Sequence, residues 1–184
     1  MTPSEVRQIQ SRARCVYTQD EVEAALDRMA GQITAELQTC NPIVLCIMNG
    51  GLIVTGKLAT RLDFPLQIDY LHATRYRENT SGGDLQWKTY PSQSLEGRVV
   101  LLLDDILDEG TTLEKIIDYC QQQGAEAVLT AVLLDKQHNR KTSGIRANFT
   151  GLEVEDYYLY GYGMDYKGYL RNAPGIYAIA ETDM

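Results

Sequence analysis

The chain reads as an α/β protein, with a central, mostly parallel sheet flanked by helices. Three observations predict this. Val99 to Leu103 is an uninterrupted apolar run, as expected of a strand buried on both faces in a parallel sheet. It runs into Asp104, Asp105 and then Asp108-Glu109-Gly110-Thr111-Thr112. A helical pattern follows, in which Leu113, Ile116 and Ile117 share a face and Gly124 is the stop. Finally, strand-like and helix-like stretches alternate with no Pro/Ser-rich linker, repeat or low-complexity tract, so the 184 residues form one domain.

The elements follow in chain order. Thr18 and Glu21 form a capping-box pattern, after which Val22, Ala25, Leu26, Met29, Ile33 and Leu37 trace one helical face. Ile43 to Met48 is a short buried strand closed by Asn49-Gly50-Gly51; Leu52 to Leu62 is helical, and Leu66 to Ala73 is a second strand. The polar RYRENTSGGD segment, residues 75–84, reads as a mobile loop because of its Gly pair. Beyond the acidic turn, Ala127 to Leu134 is another buried strand. The aromatic, glycine-punctuated tail from Phe149 onward reads as a small cap rather than a further βα unit.

Composition narrows the partners. Seventeen basic against twenty-five acidic residues give a net charge of −8, which disfavours nucleic acid or an anionic membrane as a main partner. An anionic substrate must then be held by local donors and metal ions. Cys15, Cys40, Cys46 and Cys120 show neither a CxxC pair nor zinc spacing, and Cys46 lies in an apolar strand. Buried free thiols in a reducing, cytoplasmic compartment are expected. No apolar stretch approaches the ~20 residues of a membrane helix. MTPSEVRQIQ also lacks the apolar core of a signal peptide.

The acidic turn carries the chemistry. It lies at the carboxyl end of a central strand and the amino end of a helix, where open α/β sheets place their ligands. Amides at a helix start bind phosphate, and Gly110 with its two threonines lets an anion approach. Neither GxxxxGK[ST] nor a strand-to-helix GxGxxG is present; Gly56-Lys57 is followed by Leu58. What remains is a loop pairing amide donors with carboxylates, suited to a ligand with a phosphate and hydroxyls. Asp104 and Asp105 can hold the hydroxyls or attract Mg²⁺. A phosphorylated sugar fits. The bland alternative, an acidic helix cap, accounts for Asp108 and Glu109 but not for two carboxylates abutting a core strand.

DDILDEGTTL resembles the phosphoribosyl diphosphate (PRPP) signature of type I phosphoribosyltransferases, and with Asp108 the chain resembles their hypoxanthine-guanine branch from about Cys15 to Ile179. The resemblance implies that fold, as a single domain over residues 1–184. Its core would span about 40–135, with a hood built from the N-terminal segment and the C-terminal tail. It implies Mg²⁺-dependent conversion of hypoxanthine or guanine plus PRPP to IMP or GMP plus pyrophosphate, by a homo-oligomer (dimer or tetramer). Asp108 would be catalytic, and Asp104, Asp105, Asp108, Glu109, Gly110, Thr111 and Thr112 would bind the ribose 5-phosphate.

Other roles are implied with bland alternatives beside them. Asn49 and Gly50, by themselves a plain tight turn, would join Arg171 in holding pyrophosphate, with a cis peptide before residue 49. Many relatives carry a basic residue where this chain has Asn49. Arg75 and Tyr76 would belong to a lid, although a surface loop reads equally well and Arg75 replaces a family serine. Lys136, otherwise a solvated strand end, would donate to purine O6. YYLYGYGMDYKGYLR, by itself a packed hairpin, would supply Tyr158 for base stacking, Leu159 for a backbone contact to the base, and Asp165 at the purine and, with Asp104 and Asp105, at the metal. His72 and His138 have no ligand spacing and receive no role. The rival readings are a PRPP-sensing regulator on the same fold, which commonly lacks the acid at 108, and an enzyme preferring another base such as xanthine.

Overall fold

The computed structural model describes residues 1–75, 85–141 and 144–184. In chain order the elements are α1 (Pro3–Arg12), β1 (Arg14–Tyr17), α2 (Gln19–Leu37), β2 (Ile43–Ile47), α3 (Gly51–Ala59), β3 (Gln67–Arg75), β4 (Leu85–Thr89), β5 (Val99–Leu107), α4 (Thr111–Gln122), β6 (Ala127–Gln137), β7 (Phe149–Glu155), β8 (Leu159–Tyr160) and β9 (Ile176–Ala178). Six strands make the main sheet in the order β4-β3-β2-β5-β6-β7. All neighbours are parallel except the β3–β4 pair.

The apolar runs explain the layering. Along β5, Leu101 and Leu103 face the cluster under α2 and α3, while Val100 and Leu102 face the cluster under α4. Alternation of side chains across a strand thus feeds two cores from one continuous apolar stretch. α2 begins with the predicted capping box: Glu21 N–H donates to Thr18 Oγ1 at 3.4 Å, and Thr18 N–H to Glu21 Oε2 at 2.8 Å. All six residues of its predicted apolar face are buried. α4 buries Leu113 and Ile116 and ends before Gly124, whose φ is +79°.

Two differences from the sequence reading bear on the site. β6 runs on to Gln137, so Lys136 is a strand residue and not a solvated strand end. Phe149–Glu155 is no part of a cap: β7 pairs in parallel with β6 and is covered by α2, placing Phe149 and Val154 in the main core. Its sequence, FTGLEVE, lacks a long apolar run because it is an edge strand with one neighbour. The core therefore reaches residue 155 and includes α2.

The hood is a separate three-stranded sheet, β1-β9-β8. Val6 and Ile9 of α1 pack there with Tyr160, Tyr166, Leu170 and Ile179. No helix among the described residues is long and apolar enough to cross a membrane. Cys46 and Cys120 are buried and Cys15 and Cys40 exposed, and all four are free thiols.

Candidate active site

Strand pairing opens the cleft. β5 pairs with β2 only as far as Leu103, opposite Cys46, but continues beside β6 to Leu107, opposite Asp135. β2 leads through α3 to β3 on one side, whereas β5 lies on its other side. This is a topological switch point, where a crevice forms beyond the strand ends. Asp104 and Asp105 occupy the β5 positions from which β2 has turned away.

Glycines let three chain segments close on this point. A Cβ on Gly51 would meet the Leu103 carbonyl oxygen at 2.4 Å, and one on Gly50 would meet the Asp105 carboxylate at 2.4–2.7 Å. A Cβ on Gly163 of the hood would fall 2.0 Å from the Gly50 carbonyl oxygen. The Met48–Asn49 peptide is cis, as the resemblance implied.

The resulting cleft, about 630 Å³, gathers most of the predicted residues: Asn49, Gly50, Asp104, Asp105, Asp108, Glu109, Gly110, Thr112, Lys136, Tyr158, Leu159, Asp165 and Arg171. Thr111 begins α4 but does not line the cleft. Arg75 is the last residue of β3, and Tyr76 with the rest of the predicted lid lies outside the described residues. His72, Thr74 and Lys88 also line the cleft, although no sequence pattern singled them out.

Electrostatics divide the cleft into two parts. In one, burial and the adjacent Asp105 charge push the Asp104 carboxyl well above the usual range. Burial raises Asp105 to about 6, against opposing contributions from Asp104 and Arg171. Arg171 is itself fixed, donating to the Gly163 carbonyl and pairing with Asp165 Oδ1 at 2.5 Å. The second Asp165 oxygen accepts from Gly168 N–H at 2.6 Å.

These commitments bear on the metal expectation. Asp104, Asp105 and Asp165 share the cleft, but their oxygens do not converge within 4.8 Å as a set, so a preformed three-carboxylate cage is not present. Asp165 is instead engaged by Arg171 and the Gly168 amide. Asp104 and Asp105 still fit Mg²⁺ chemically. They are hard oxygen donors whose crowded charge a cation or substrate hydroxyls would relieve, and Mg²⁺ is usually held by one or two carboxylates plus substrate oxygens.

In the other part, Asp108 is bracketed. Its Oδ2 lies 3.2 Å from Lys136 Nζ, and its Oδ1 lies 2.6 Å from His138 Nε2. Lys136 Nζ also reaches Asp156 Oδ1 at 3.3 Å. Burial acts to raise Asp108, but the His138 hydrogen bond and the Lys136 charge outweigh it and leave the carboxyl below its ordinary value. Asp108, His138 and Asp156 form the one metal-like triad among the described residues, yet the Lys136 ammonium already bridges its two acids. His138 was passed over because it stands alone in sequence. Its only signal was its place just past the end of the Lys136 strand, in the bend that follows β6.

The aromatic segment is divided between core and cleft. Tyr160, Tyr162 and Tyr166 are buried as in a packed hairpin, whereas Tyr158 is 40 % exposed and lines the cleft. Tyr158 is backed by Tyr166, with ring centroids 5.6 Å apart.

Comparison with known proteins agrees with this geometry. The phosphoribosyl transferase domain model matches residues 16–161. A hypoxanthine-guanine phosphoribosyltransferase of Bacillus subtilis is 30 % identical, with 89 % of this chain and 91 % of that protein covered. A hypoxanthine-guanine-xanthine phosphoribosyltransferase of Tritrichomonas foetus is 29 % identical over 92 % of each chain. A solved hypoxanthine phosphoribosyltransferase from Staphylococcus aureus superposes with a TM-score of 0.87 at 26 % identity, covering 98 % of this chain and 96 % of that one. With a switch-point cleft, an acidic strand-to-helix turn and relatives matched over nearly their whole length, the chain belongs to the phosphoribosyl transferase family.

Proposed function

We propose that the cleft transfers ribose 5-phosphate from PRPP to hypoxanthine or guanine, giving IMP or GMP and pyrophosphate. One observation carries the choice of base. Lys136 Nζ and Asp108 Oδ2 stand 3.2 Å apart on the cleft wall, a donor beside an acceptor. A 6-oxopurine protonated at N7 presents the complementary pair, a carbonyl acceptor at position 6 beside an N–H donor. Adenine carries an amino group at position 6, so Lys136 would face a donor.

The remaining residues take consistent roles. The turn into α4, residues 108–112, receives the 5-phosphate on backbone amides, with the Thr112 hydroxyl assisting from the cleft wall. Asp104 and Asp105 orient the ribose hydroxyls. The turn at Asn49-Gly50 holds pyrophosphate together with Arg171, while Lys88 adds positive charge to a cleft otherwise rich in acids. Burial and the Lys88 charge hold the His72 imidazole below its ordinary value, so it serves there as a neutral polar group. Tyr158 stacks on the base, Leu159 contacts it through the backbone, and Arg75 and Tyr76 belong to a lid excluding water from the reacting carbon. Asp108, ionised at neutral pH, strengthens its hydrogen bond to N7–H as the base attacks C1′. A carboxyl held this low is a weak proton remover but a dependable acceptor, so positioning and charge stabilisation supply much of the rate. Mg²⁺ bound with PRPP would neutralise the leaving pyrophosphate, with Asp104 and Asp105 as its protein-side donors.

Ile68 and Tyr70, on one face of β3, are 56 % and 47 % exposed, and we assign that face to a second copy in a dimer or tetramer. Four free thiols suit a reducing cytoplasm. The test of function is a spectrophotometric assay with PRPP, Mg²⁺ and a panel of hypoxanthine, guanine, xanthine and adenine. Turnover of the first two is expected, and efficient use of adenine would overturn the reading.

A further inference from the structure

We propose that His138 is a positioning residue for Asp108: its Nε2–H holds one carboxylate oxygen and fixes the other beside Lys136, at the edge of the cleft. This inference rests on the 6-oxopurine reading, whose carboxylate acceptor it explains.

The hydrogen bonds assign the tautomer. The Arg140 backbone N–H donates to His138 Nδ1 at 3.1 Å, so Nδ1 must present its lone pair. In the neutral ring the proton then sits on Nε2, and Nε2 lies 2.6 Å from Asp108 Oδ1. The imidazole is therefore a one-way donor, anchored behind by backbone and aimed at the acid. Its side chain is only 5 % exposed, against 44 % for Asp108, so the donor is shielded while its target faces the cleft.

Position in the fold makes the contact firm. Lys136 is in β6, and His138 lies in the bend directly after that strand ends at Gln137, so the strand fixes Lys136 and the point from which His138 departs. Asp108 follows directly after β5, the strand paired with β6 through Leu107 and Asp135. With Oδ1 engaged by His138, the carboxylate cannot rotate freely, and Oδ2 alone is left for Lys136 and the substrate. Lys136 is shared with Asp156 at nearly equal distance, and Arg140 Nη2 is 3.8 Å from Asp108 Oδ1. Glu109 adjoins Asp108 in the chain. Behind His138, the adjacent cavity carries the Asp135–Lys141 pair, Arg146 and Glu153. Among these groups His138 supplies the short directional bond to Oδ1; Lys136 supplies charge at longer range.

The test is a set of substitutions read in two ways. Gln places an amide N–H near the reach of histidine Nε2, Asn stops short of it, and Phe keeps the ring without a donor. Hypoxanthine turnover by the parent enzyme is established first, which separates failure of the functional reading from failure of this inference. His138→Phe and His138→Asn are expected to lower kcat about tenfold, the scale of a lost hydrogen bond to a charged group. Their KM for PRPP should stay within about twofold, and His138→Gln should recover most of the rate. The acid limb of the kcat/KM profile should move to higher pH in Phe and Asn but not in Gln. Independently of activity, the carboxyl carbon resonance of Asp108 should titrate at higher pH in His138→Phe than in the parent. Parental kcat and parental pH profile in His138→Phe, or equal losses in Gln and Asn, would overturn the assignment.

Discussion

Two acids in this molecule are surrounded by similar cations yet stand in contrasting settings. Glu23 of α2 meets Lys57 Nζ at 2.5 Å, Arg61 Nη2 at 2.5 Å and the Tyr162 hydroxyl at 2.6 Å. Asp108 meets His138 at 2.6 Å and Lys136 only at 3.2 Å. All partners of Glu23 come from scaffold, namely α3, the turn that follows it and the hood turn, and its carboxyl is pulled down to about 2, chiefly by Lys57 and Tyr162. Asp108 keeps one oxygen loosely held and turned to a cleft. Lysine and carboxylate can therefore form a rivet or an exchangeable pair, depending on how many short contacts close the acid and whether a cavity adjoins it. Because Lys136 is divided between Asp108 and Asp156, it can turn to a carbonyl oxygen without leaving either acid far behind.

The strongest way to break this contrast is to neutralise each acid in turn. Asp108→Asn should lower kcat by about 10²–10⁴-fold, the usual range for a proton-handling carboxylate, with little change in the KM for PRPP. Glu23→Gln should leave kcat within about twofold. Steady-state kinetics of both variants decide it, and a near-normal Asp108→Asn would reduce that residue to a helix cap.

Lys136→Ala probes the exchangeable side. Leaving a buried charged donor opposite the amino group of adenine costs more than ~1–3 kcal/mol, which is why the parent should reject adenine. Removing the lysine should lower kcat/KM for hypoxanthine and guanine and erase much of their advantage over adenine. If base preference survives in Lys136→Ala, selectivity resides elsewhere in the cleft.

How much of this was legible in the sequence follows from the same distinction. β5, α4 and the acids between them were readable because an apolar run, a glycine and a helical period are local signals. The capping box of α2 was readable for that reason as well. β7 was misassigned because an edge strand buries less and shows no long apolar run. The site residues the resemblance named gather in one cleft except Thr111, which lies off its wall, Arg75, placed at the end of β3, and Tyr76, outside the described residues. His138, His72 and Lys88 were invisible because their meaning comes from chain pairing: β5 and β6 lie side by side and the bend after β6 brings His138 onto Asp108, while pairing of β3 with β4 brings His72 opposite Thr89, next to Lys88. The Glu23 knot was equally invisible, since it joins residues 139 positions apart.

The rivet should respond to acid. Glu23 has a folded value of about 2, below the ~4.3 of an unfolded glutamate. Its contribution to stability is thus present above the unfolded value and is lost as pH falls towards 2. Glu23→Gln should cost about 1–3 kcal/mol at pH 7, as for loss of hydrogen bonds to a charged group, and should flatten the decline in stability between about pH 5 and 2. Urea unfolding of both proteins across that range measures it. An unchanged slope in the variant would assign the acid sensitivity to other carboxyls.

Tyr162→Phe makes the finest cut. Tyr162 is 3 % exposed and has φ +47°, between two glycines in the turn whose Gly163 carbonyl receives Arg171. Phenylalanine keeps the ring, the Lys57 contact over its face and the backbone conformation, so strain cancels in the comparison and only the O–H donor to Glu23 is lost. Glu23 still has Lys57 and Arg61, and the phenol oxygen takes its own burial cost away with it. The expected loss is about 0.5–1.5 kcal/mol, smaller than for Glu23→Gln, or a fall in Tm of about 1–6 °C. If the knot only fastens the hood to α2, the KM for PRPP stays within about twofold. If it also holds Arg171 at the pyrophosphate end of the cleft, that KM rises while kcat does not. Because the hood turn remains anchored by Gly163 against Gly50, the first result is expected, and a rise of tenfold in KM would move Glu23 from the scaffold to the site.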